Sequence, residues 1–154
     1  MPDDAVATLA LPFSFPFYGV SYTSIRVGEN GALRVGTAGS IGYTNACLPT
    51  STGSPPDIAV YWDDLINGSV YYRSMGTAGP FIVSWANKQH YGNQGGGTVS
   101  FQVKLFPSGR IEMHYSDTTF GSATYDNGVS ATIGIQAFTA GQQANYLLQR
   151  LCNA

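Results

Sequence analysis

Two adjacent carboxylates, Asp63 and Asp64, stand where an apolar run meets a turn in AVYWDDLINGSV (59–70). A glycosidase needs two carboxyl groups about 5–9.5 Å apart across the scissile bond. Neighbours on an extended chain point to opposite sides, so this pair is poorly placed for acid–base catalysis. The oxygens could instead bind Ca²⁺ with help from Asn67, although the D-x-[DN]-x-[DN]-G pattern is lacking. We prefer a third interpretation, a strand end whose Asp oxygens accept backbone N–H bonds.

Aromatic and amide side chains are concentrated in two polar, Gly-rich segments, KQHYGNQGG (88–96) and TTFGSATYDNG (118–128). Tyrosines in such loops can stack on a sugar face or on a partner protein. We therefore predict a ligand-binding site formed by loop residues of these two segments. Its predicted members are His90, Tyr91, Asn93, Tyr125, Asp126 and Asn127.

The two histidines of the chain, His90 and His114, do not lie in a motif for nucleophilic catalysis. His114 falls on the polar face of a predicted strand, where a cross-strand partner or solvent is the usual neighbour. His90 has no G-x-S-x-G elbow or Cys–His arrangement nearby. We expect no enzymatic activity, and hydrolysis by the Asp pair or Asp117 is the least favoured hypothesis.

The two cysteines, Cys47 and Cys152, lack the spacing of metal ligands, so a zinc site is not expected. A disulfide between them would close a loop of about 100 residues and stabilise the fold by about 4–5 kcal/mol in the chain-entropy model. Buried free thiols and pairing between chains are the alternatives that the sequence leaves open.

Strand patterns dominate the chain. TVSFQVKLF (98–106) and RIEMHYS (110–116) both alternate apolar with polar residues, and Pro107-Ser108-Gly109 between them reads as a three-residue hairpin loop. This predicts Lys104 opposite Glu112, Gln102 opposite His114 and Phe101 beside Tyr115. In SIRVGENGALRVG (24–36), a loop at 29–31 places Ile25, Val27, Leu33 and Val35 on one face.

Further strands are predicted from short apolar or alternating runs bounded by turn residues. They cover 5–10, 13–18, 57–62, 69–75, 80–87, 129–137 and 145–151. Trp85 alternates with Phe81 and Val83, and Trp62 alternates with Ile58 and Val60, so both tryptophans are expected in one core. The sequence thus predicts an all-β, antiparallel sandwich or jelly roll of about 9–10 strands with little or no helix.

The order of these strands predicts where the loops lie. If successive strands from 57 to 137 run antiparallel, the loops 63–68, 88–96 and 118–128 share one end of the sandwich. Sandwich folds commonly carry binding loops at one end, because the paired sheets hold them rigidly. The predicted ligand-binding residues would then meet in space.

Composition restricts the possible partners. Only 10% of the 154 residues are charged, compared with roughly 25% in an average soluble protein, and the net charge is −2. The 7 basic residues are spread along the chain, which does not fit a nucleic-acid binder. No apolar run approaches the roughly 20 residues of a membrane helix, so membrane insertion is not expected. A low charge with many Gly and Tyr residues favours an extracellular β protein.

The strands also resemble a known family. GSVYYRSMG, FIVSWANKQHYGN, GTVSFQVKLFPSGRIEMHYSD and SATIGIQ together resemble the nidogen-type extracellular domain. The matching positions are Tyr71-Tyr72-Arg73, Trp85, Phe101-Gln102-Val103-Lys104-Leu105, Gly109 and Tyr115, preceded by Trp62 and Asp64 of VYWDDL. The resemblance covers about residues 57–137, and the N-terminal segment is similar to modules of secreted bacterial surface proteins.

The resemblance implies one domain over 1–154, in which strands within 5–36 complete the sheets of the nidogen-like core. It implies an extracellular or cell-surface location and carries over no catalytic residue. We expect a non-catalytic adhesion module that binds a glycan or a surface protein, as at the tip of a trimeric fibre. A structural domain joining subunits through edge strands 69–75 or 145–151 is the alternative.

Overall fold

The structure, a computed structural model, describes residues 1–51, 53–139, 142–143 and 148–152. Its strands are β1 (Val6–Phe17), β2 (Val20–Gly28), β3 (Ala32–Val35), β4 (Ile58–Trp62), β5 (Leu65–Ile66), β6 (Ser69–Ser74), β7 (Phe81–His90), β8 (Val99–Leu105), β9 (Ile111–Asp117), β10 (Thr132–Ile135), β11 (Phe138–Thr139), β12 (Gln142–Gln143) and β13 (Leu148–Cys152). Short 3₁₀ turns lie at Tyr91–Asn93 and Asp126–Gly128.

Two antiparallel sheets form the sandwich that the alternating pattern predicts. The first sheet has the strand order β1-β2-β3-β4-β10-β13, and the second has β5-β7-β8-β9 with β6 also paired to β7. The described residues contain 13 strands rather than the predicted 9–10, because β5, β11 and β12 are short strands of two residues each. The all-β fold class is therefore confirmed.

The main core lies between the two sheets and is built from the alternate apolar positions of the strands. Its fully buried side chains include Phe15, Ile25, Leu33, Ile58, Val60, Tyr61, Phe81, Val83, Trp85, Phe101, Val103 and Phe120. Trp85 stacks on Phe101 with ring centroids 5.1 Å apart, and its indole N–H donates to the Gly28 carbonyl at 2.9 Å. The expected core position of Trp85 is confirmed.

Both predicted hairpin registers are observed. Lys104 faces Glu112, Gln102 faces His114 and Phe101 faces Tyr115. In the second hairpin Ile25 faces Val35 and Val27 faces Leu33 around the turn at 29–31. Alternation predicts these registers because a shift of one residue would turn every apolar side chain towards solvent.

A β-bulge in β4 changes the face on which Trp62 lies. The backbone N–H groups of Val60 and Tyr61 both donate to the Gly31 carbonyl, at 3.1 and 2.9 Å, so two residues oppose one. After this extra residue Trp62 points to the other face of the first sheet, where it packs with Ile41 and Leu48. The expectation that Trp62 shares a core with Trp85 is wrong for this reason.

The N-terminal strand also differs from the pattern-based boundaries. The predicted strands 5–10 and 13–18 form one strand, β1, whose register shifts between Ala10 and Phe15. Pro12 and Pro16 lack N–H donors, yet β1 stands at the edge of its sheet, where proline is tolerated. At the other end, the predicted strand 129–137 is limited to β10, and residues 145–147 of the predicted strand 145–151 lie outside the described residues.

The segment between β3 and β4 covers the outer face of the first sheet. Cys47 in this segment forms a disulfide with Cys152 of the edge strand β13, with a Cα–Cα distance of 5.2 Å. Of the thiol states that the sequence left open, the structure contains the intrachain disulfide. The buried amide of Gln136 donates to the Pro56 carbonyl at 2.9 Å and further ties the segment to the sheet.

Within the described residues, no helix is both long and apolar enough to cross a membrane.

Candidate functional site

Asp63 follows directly after β4 and is almost fully buried. Its Oδ1 accepts the Asp64 backbone N–H at 3.0 Å and lies 3.3 Å from His90 Nε2. Its Oδ2 accepts the hydroxyl of Ser130 at 2.6 Å. These contacts are those of a carboxylate that closes a strand end. With both oxygens engaged and little solvent access, Asp63 is poorly placed to act on a substrate.

Asp64 points away from Asp63 and lines a shallow cavity of about 290 Å³ together with Asp3, Asp4, Tyr43 and Tyr91. We call this set the tyrosine–carboxylate pocket. Tyr43 and Tyr91 are 51% and 55% exposed, so their rings are available to a ligand. Burial raises the pKa of the Asp64 carboxyl, His90 lowers it, and Asp4, Asp3 and Asp63 raise it further. The pocket therefore combines aromatic surfaces with closely spaced carboxyl groups.

His90 ends β7 and joins the loops rather than facing solvent. Its Nδ1 accepts the Gly92 N–H at 2.9 Å, which leaves the ring proton on Nε2, directed at Asp63. Its ring lies against Tyr125, with centroids 3.8 Å apart and an interplanar angle of 24°. The edge of His90 also meets Phe120 at 5.7 Å. His90 thus holds the backbone that presents Tyr91.

The 118–128 loop is organised by its own polar side chains. Asp126 Oδ1 accepts the backbone N–H groups of Phe120 and Ser122 at 2.6 and 3.2 Å. Asn127 adopts a positive φ of 58°, a conformation that Asn tolerates better than most residues. Asn93 of the neighbouring loop donates from Nδ2 to the Phe120 carbonyl at 3.0 Å. These polar residues shape the loops.

The three loops predicted to share one end of the sandwich do meet there. Tyr91 N–H donates to the Asp64 carbonyl at 2.9 Å, and Gly97 N–H donates to the Phe120 carbonyl at 2.6 Å. Of the six predicted ligand-binding residues, Tyr91 and Asn127 are exposed, and the other four are buried or half-buried. Their binding to a ligand stays a prediction.

Sequence reasoning missed three residues of the pocket: Asp3, Asp4 and Tyr43. Asp4 is held in place by Asn30, whose Nδ2 donates to Asp4 Oδ1 at 2.8 Å across 26 positions of sequence. Tyr43 belongs to the segment that covers the first sheet. No local sequence pattern predicts that Asp4 or Tyr43 lies at the pocket, because both positions depend on how distant segments pack.

A second cavity, of about 500 Å³, lies between β9 and β10. Its lining is mainly apolar and includes Ile111, Met113, Tyr115, Ile133 and Ile135. It contains none of the predicted ligand-binding residues, and its aliphatic lining is unlike a sugar-binding surface.

A calcium site gains no support from the geometry. In the described part of the chain, no group of three or more His, Cys, Asp or Glu side chains is arranged to hold a metal ion. Asp63 is engaged by protein donors, and Asp64 points elsewhere. Calcium binding remains a hypothesis from the adjacent carboxylates.

Comparison with known proteins identifies the family. Searches of curated proteins and of solved structures each gave no match. A family model described as NIDO related matches residues 1–151, which extends the nidogen-like resemblance from the core to the N-terminal strands. The chain therefore belongs to the NIDO-related family.

Proposed function

We propose that this chain is a non-catalytic recognition module that acts outside the cell or at its surface and binds a glycan. The observation that supports the proposal is the tyrosine–carboxylate pocket at the loop end of the sandwich. There Tyr43 and Tyr91 stand half-exposed beside Asp3, Asp4 and Asp64. A sugar ring offers an apolar face to a tyrosine and hydroxyl donors to carboxylates. Both the tyrosines and the carboxylates of the pocket therefore have a complementary group on a sugar.

The scaffold suits binding better than turnover. His90 Nε2 and Asp63 Oδ1 lie 3.3 Å apart and could exchange a proton, but both side chains are engaged in holding the loops together. Asp64 has a pKa raised mainly by burial, and a carboxyl in such a position gains from hydroxyl donors of a ligand. A rigid loop end that offers acceptors and rings is a binding surface.

A single pocket of this kind binds weakly. Stacking on one tyrosine contributes about 0.5–1.5 kcal/mol beyond the burial of area. Display of several copies, as at the tip of a trimeric adhesin or fibre, would raise the avidity by making the second and third contacts intramolecular. We therefore propose that the chain acts in a multimeric parent protein, with a surface protein that carries similar donor groups as the alternative ligand.

Glycan-array binding of the domain fused to a trimerising tag tests the proposal. The variants Tyr91→Ala and Asp64→Asn should each lose most of the array signal. Tyr71→Ala is the matched control, because Tyr71 is 61% exposed on β6 and is not part of the pocket. Equal binding by all three variants would place the glycan elsewhere on the surface.

A structural role in assembly is the second candidate, and the β6 edge favours it. In the described residues β6 pairs with β7 alone, and Tyr71 and Tyr72 on this strand and Met75 just after it are all exposed. Light scattering of the untagged domain checks this role. Self-association that Tyr71→Ala abolishes and Tyr91→Ala leaves intact would support assembly through β6.

A further inference from the structure

Glu29 and Lys88 form a buried pair that links the two sheets. Glu29 lies in the turn between β2 and β3, and Lys88 lies on β7, 59 positions further along the chain. Both side chains are only 1% exposed. Lys88 Nζ contacts Glu29 Oε1 and also the Asn67 carbonyl oxygen.

The pair is poorly satisfied as two charges. Glu29 Oε2 is buried without a hydrogen-bond partner in the part of the chain that the structure describes. A buried charged oxygen that lacks a donor destabilises the folded state, since water no longer solvates it. Burial also lowers the pKa of the Lys88 ammonium to about 8, an effect that Asp3 opposes. A neutral amine, which is the nucleophilic form of lysine, is therefore accessible near neutral pH.

We propose that Lys88 and Glu29 condense in the folded protein to form an intramolecular isopeptide bond between Nζ and Cδ. The ammonium first passes one proton to Glu29 Oε1, which leaves a neutral amine beside a neutral carboxylic acid. The nitrogen lone pair then attacks Cδ and forms the C–N bond. A second proton moves from nitrogen to the Oε1 hydroxyl, the Cδ–Oε1 bond breaks, and water leaves. No oxidant, reductant or other reactant is consumed.

The surroundings favour the product over the ion pair. The amide is neutral, so two buried charges disappear, and the buried Oε2 becomes an uncharged amide oxygen. The single remaining N–H stays next to the Asn67 carbonyl, which already accepts from Nζ. The two reacting groups are held in contact by packed strands and shielded from water, which raises their effective concentration.

The bond would join the first sheet to the second beside the hydrogen bond from Trp85 to Gly28. It would hold the β2–β3 turn and the strand that leads to the 88–96 loop in fixed relation. The Cys47–Cys152 disulfide fastens the outer segment to the first sheet alone. The isopeptide bond would therefore be the covalent link between the layers, independent of the glycan proposal.

Intact mass spectrometry of the reduced, denatured chain tests the proposal, after the folded protein has been incubated at pH 8. The wild type should weigh one water less than its sequence. Trypsin should release peptide 27–34 joined through Lys88 to peptide 74–104, in which cleavage after Lys88 is blocked. Lys104 provides an internal control: it faces Glu112 across the β8–β9 ladder but is not buried like Lys88, so cleavage after Lys104 should be normal.

Lys88→Arg and Glu29→Ala should each show the full sequence mass, because each removes one reacting group. On a reducing denaturing gel the wild type should migrate faster than Lys88→Arg, since a cross-linked chain remains more compact. A wild type of full mass with a free peptide ending at Lys88 overturns the proposal. A loss of water that persists in Lys88→Arg places the dehydration elsewhere and overturns it as well.

Discussion

The imidazole of His90 stacks on the phenol ring of Tyr125, with centroids 3.8 Å apart. His90 ends β7, whereas Tyr125 belongs to the 118–128 loop, so this contact joins two of the three loops. The same imidazole lies 3.3 Å from Asp63, which belongs to the third loop. One buried ring therefore holds the loop end of the sandwich together.

Removal of the Tyr125 ring should loosen the loop end. Tyr125→Ala should lower the free energy of unfolding by about 2–4 kcal/mol, because it removes both the stack and the packing of a partly buried aromatic side chain. Tyr125→Phe keeps the ring and should cost less than about 1 kcal/mol. Urea denaturation measures both variants. Equal losses of unfolding free energy in Tyr125→Phe and Tyr125→Ala would show that the hydroxyl group, not the ring, provides the stabilisation.

Any side chain at Gly31 should lower the free energy of unfolding, for two separable reasons. Gly31 has φ +76°, and a Cβ there would overlap the Tyr61 carbonyl oxygen at the β4 bulge. Gly19 has a similar φ of +80°, but a Cβ there would meet nothing within 4 Å. Gly19→Ala should therefore cost about 1–2 kcal/mol, the penalty of the left-handed conformation alone.

Gly31→Ala should cost at least about 2 kcal/mol more than Gly19→Ala, because the strand must move to relieve the clash. Thermal or urea unfolding of the two variants gives the difference. Similar losses of unfolding free energy in both variants would show that the bulge adjusts at little cost and does not restrain the turn.

Removal of the disulfide should destabilise the fold strongly. The two cysteines are separated by 105 positions, and a loop of this size corresponds to about 4–5 kcal/mol in the chain-entropy model. Replacement of both Cys47 and Cys152 by Ser should lower the free energy of unfolding by about that amount. The wild type under reducing conditions is the control and should match the double variant. No response to reductant would contradict the prediction.

Asp64 should affect stability in a way that depends on pH. Burial raises its pKa above the ordinary 3.8, so the folded state binds a proton more readily than the unfolded state does. The stability from this group is present below pH 3.8 and is lost as the pH rises through the raised pKa. Asp64→Asn carries no charge and escapes that loss, so its Tm should equal or exceed that of the wild type at neutral pH.

The advantage of Asp64→Asn should shrink as the pH approaches 3.8, because the wild-type carboxyl then becomes neutral as well. Thermal unfolding over a range of pH values measures it. In the glycan-binding assay the same variant should bind less than the wild type, so stability and binding would change in opposite directions. A variant that is less stable at neutral pH would show that the ionised carboxylate stabilises the folded chain.

The alternation of apolar and polar side chains and the residue types at turns are local properties of the sequence, and they determine much of the fold. The β8–β9 and β2–β3 registers follow from them because any shift would bring apolar residues such as Phe101 or Val27 into water. The common position of the three loops follows in turn from the antiparallel order of the strands. The all-β fold class and the meeting of the three loops could thus be predicted without coordinates.

Contacts between distant segments decide the rest. The bulge at Val60–Tyr61 exists because two N–H groups share the Gly31 carbonyl, and it sends Trp62 to the outer face of the sheet. Asp4 reaches the pocket through Asn30, and Glu29 meets Lys88 across the two sheets. Each of these depends on the free energy of packing the whole chain, which no short window of residues contains.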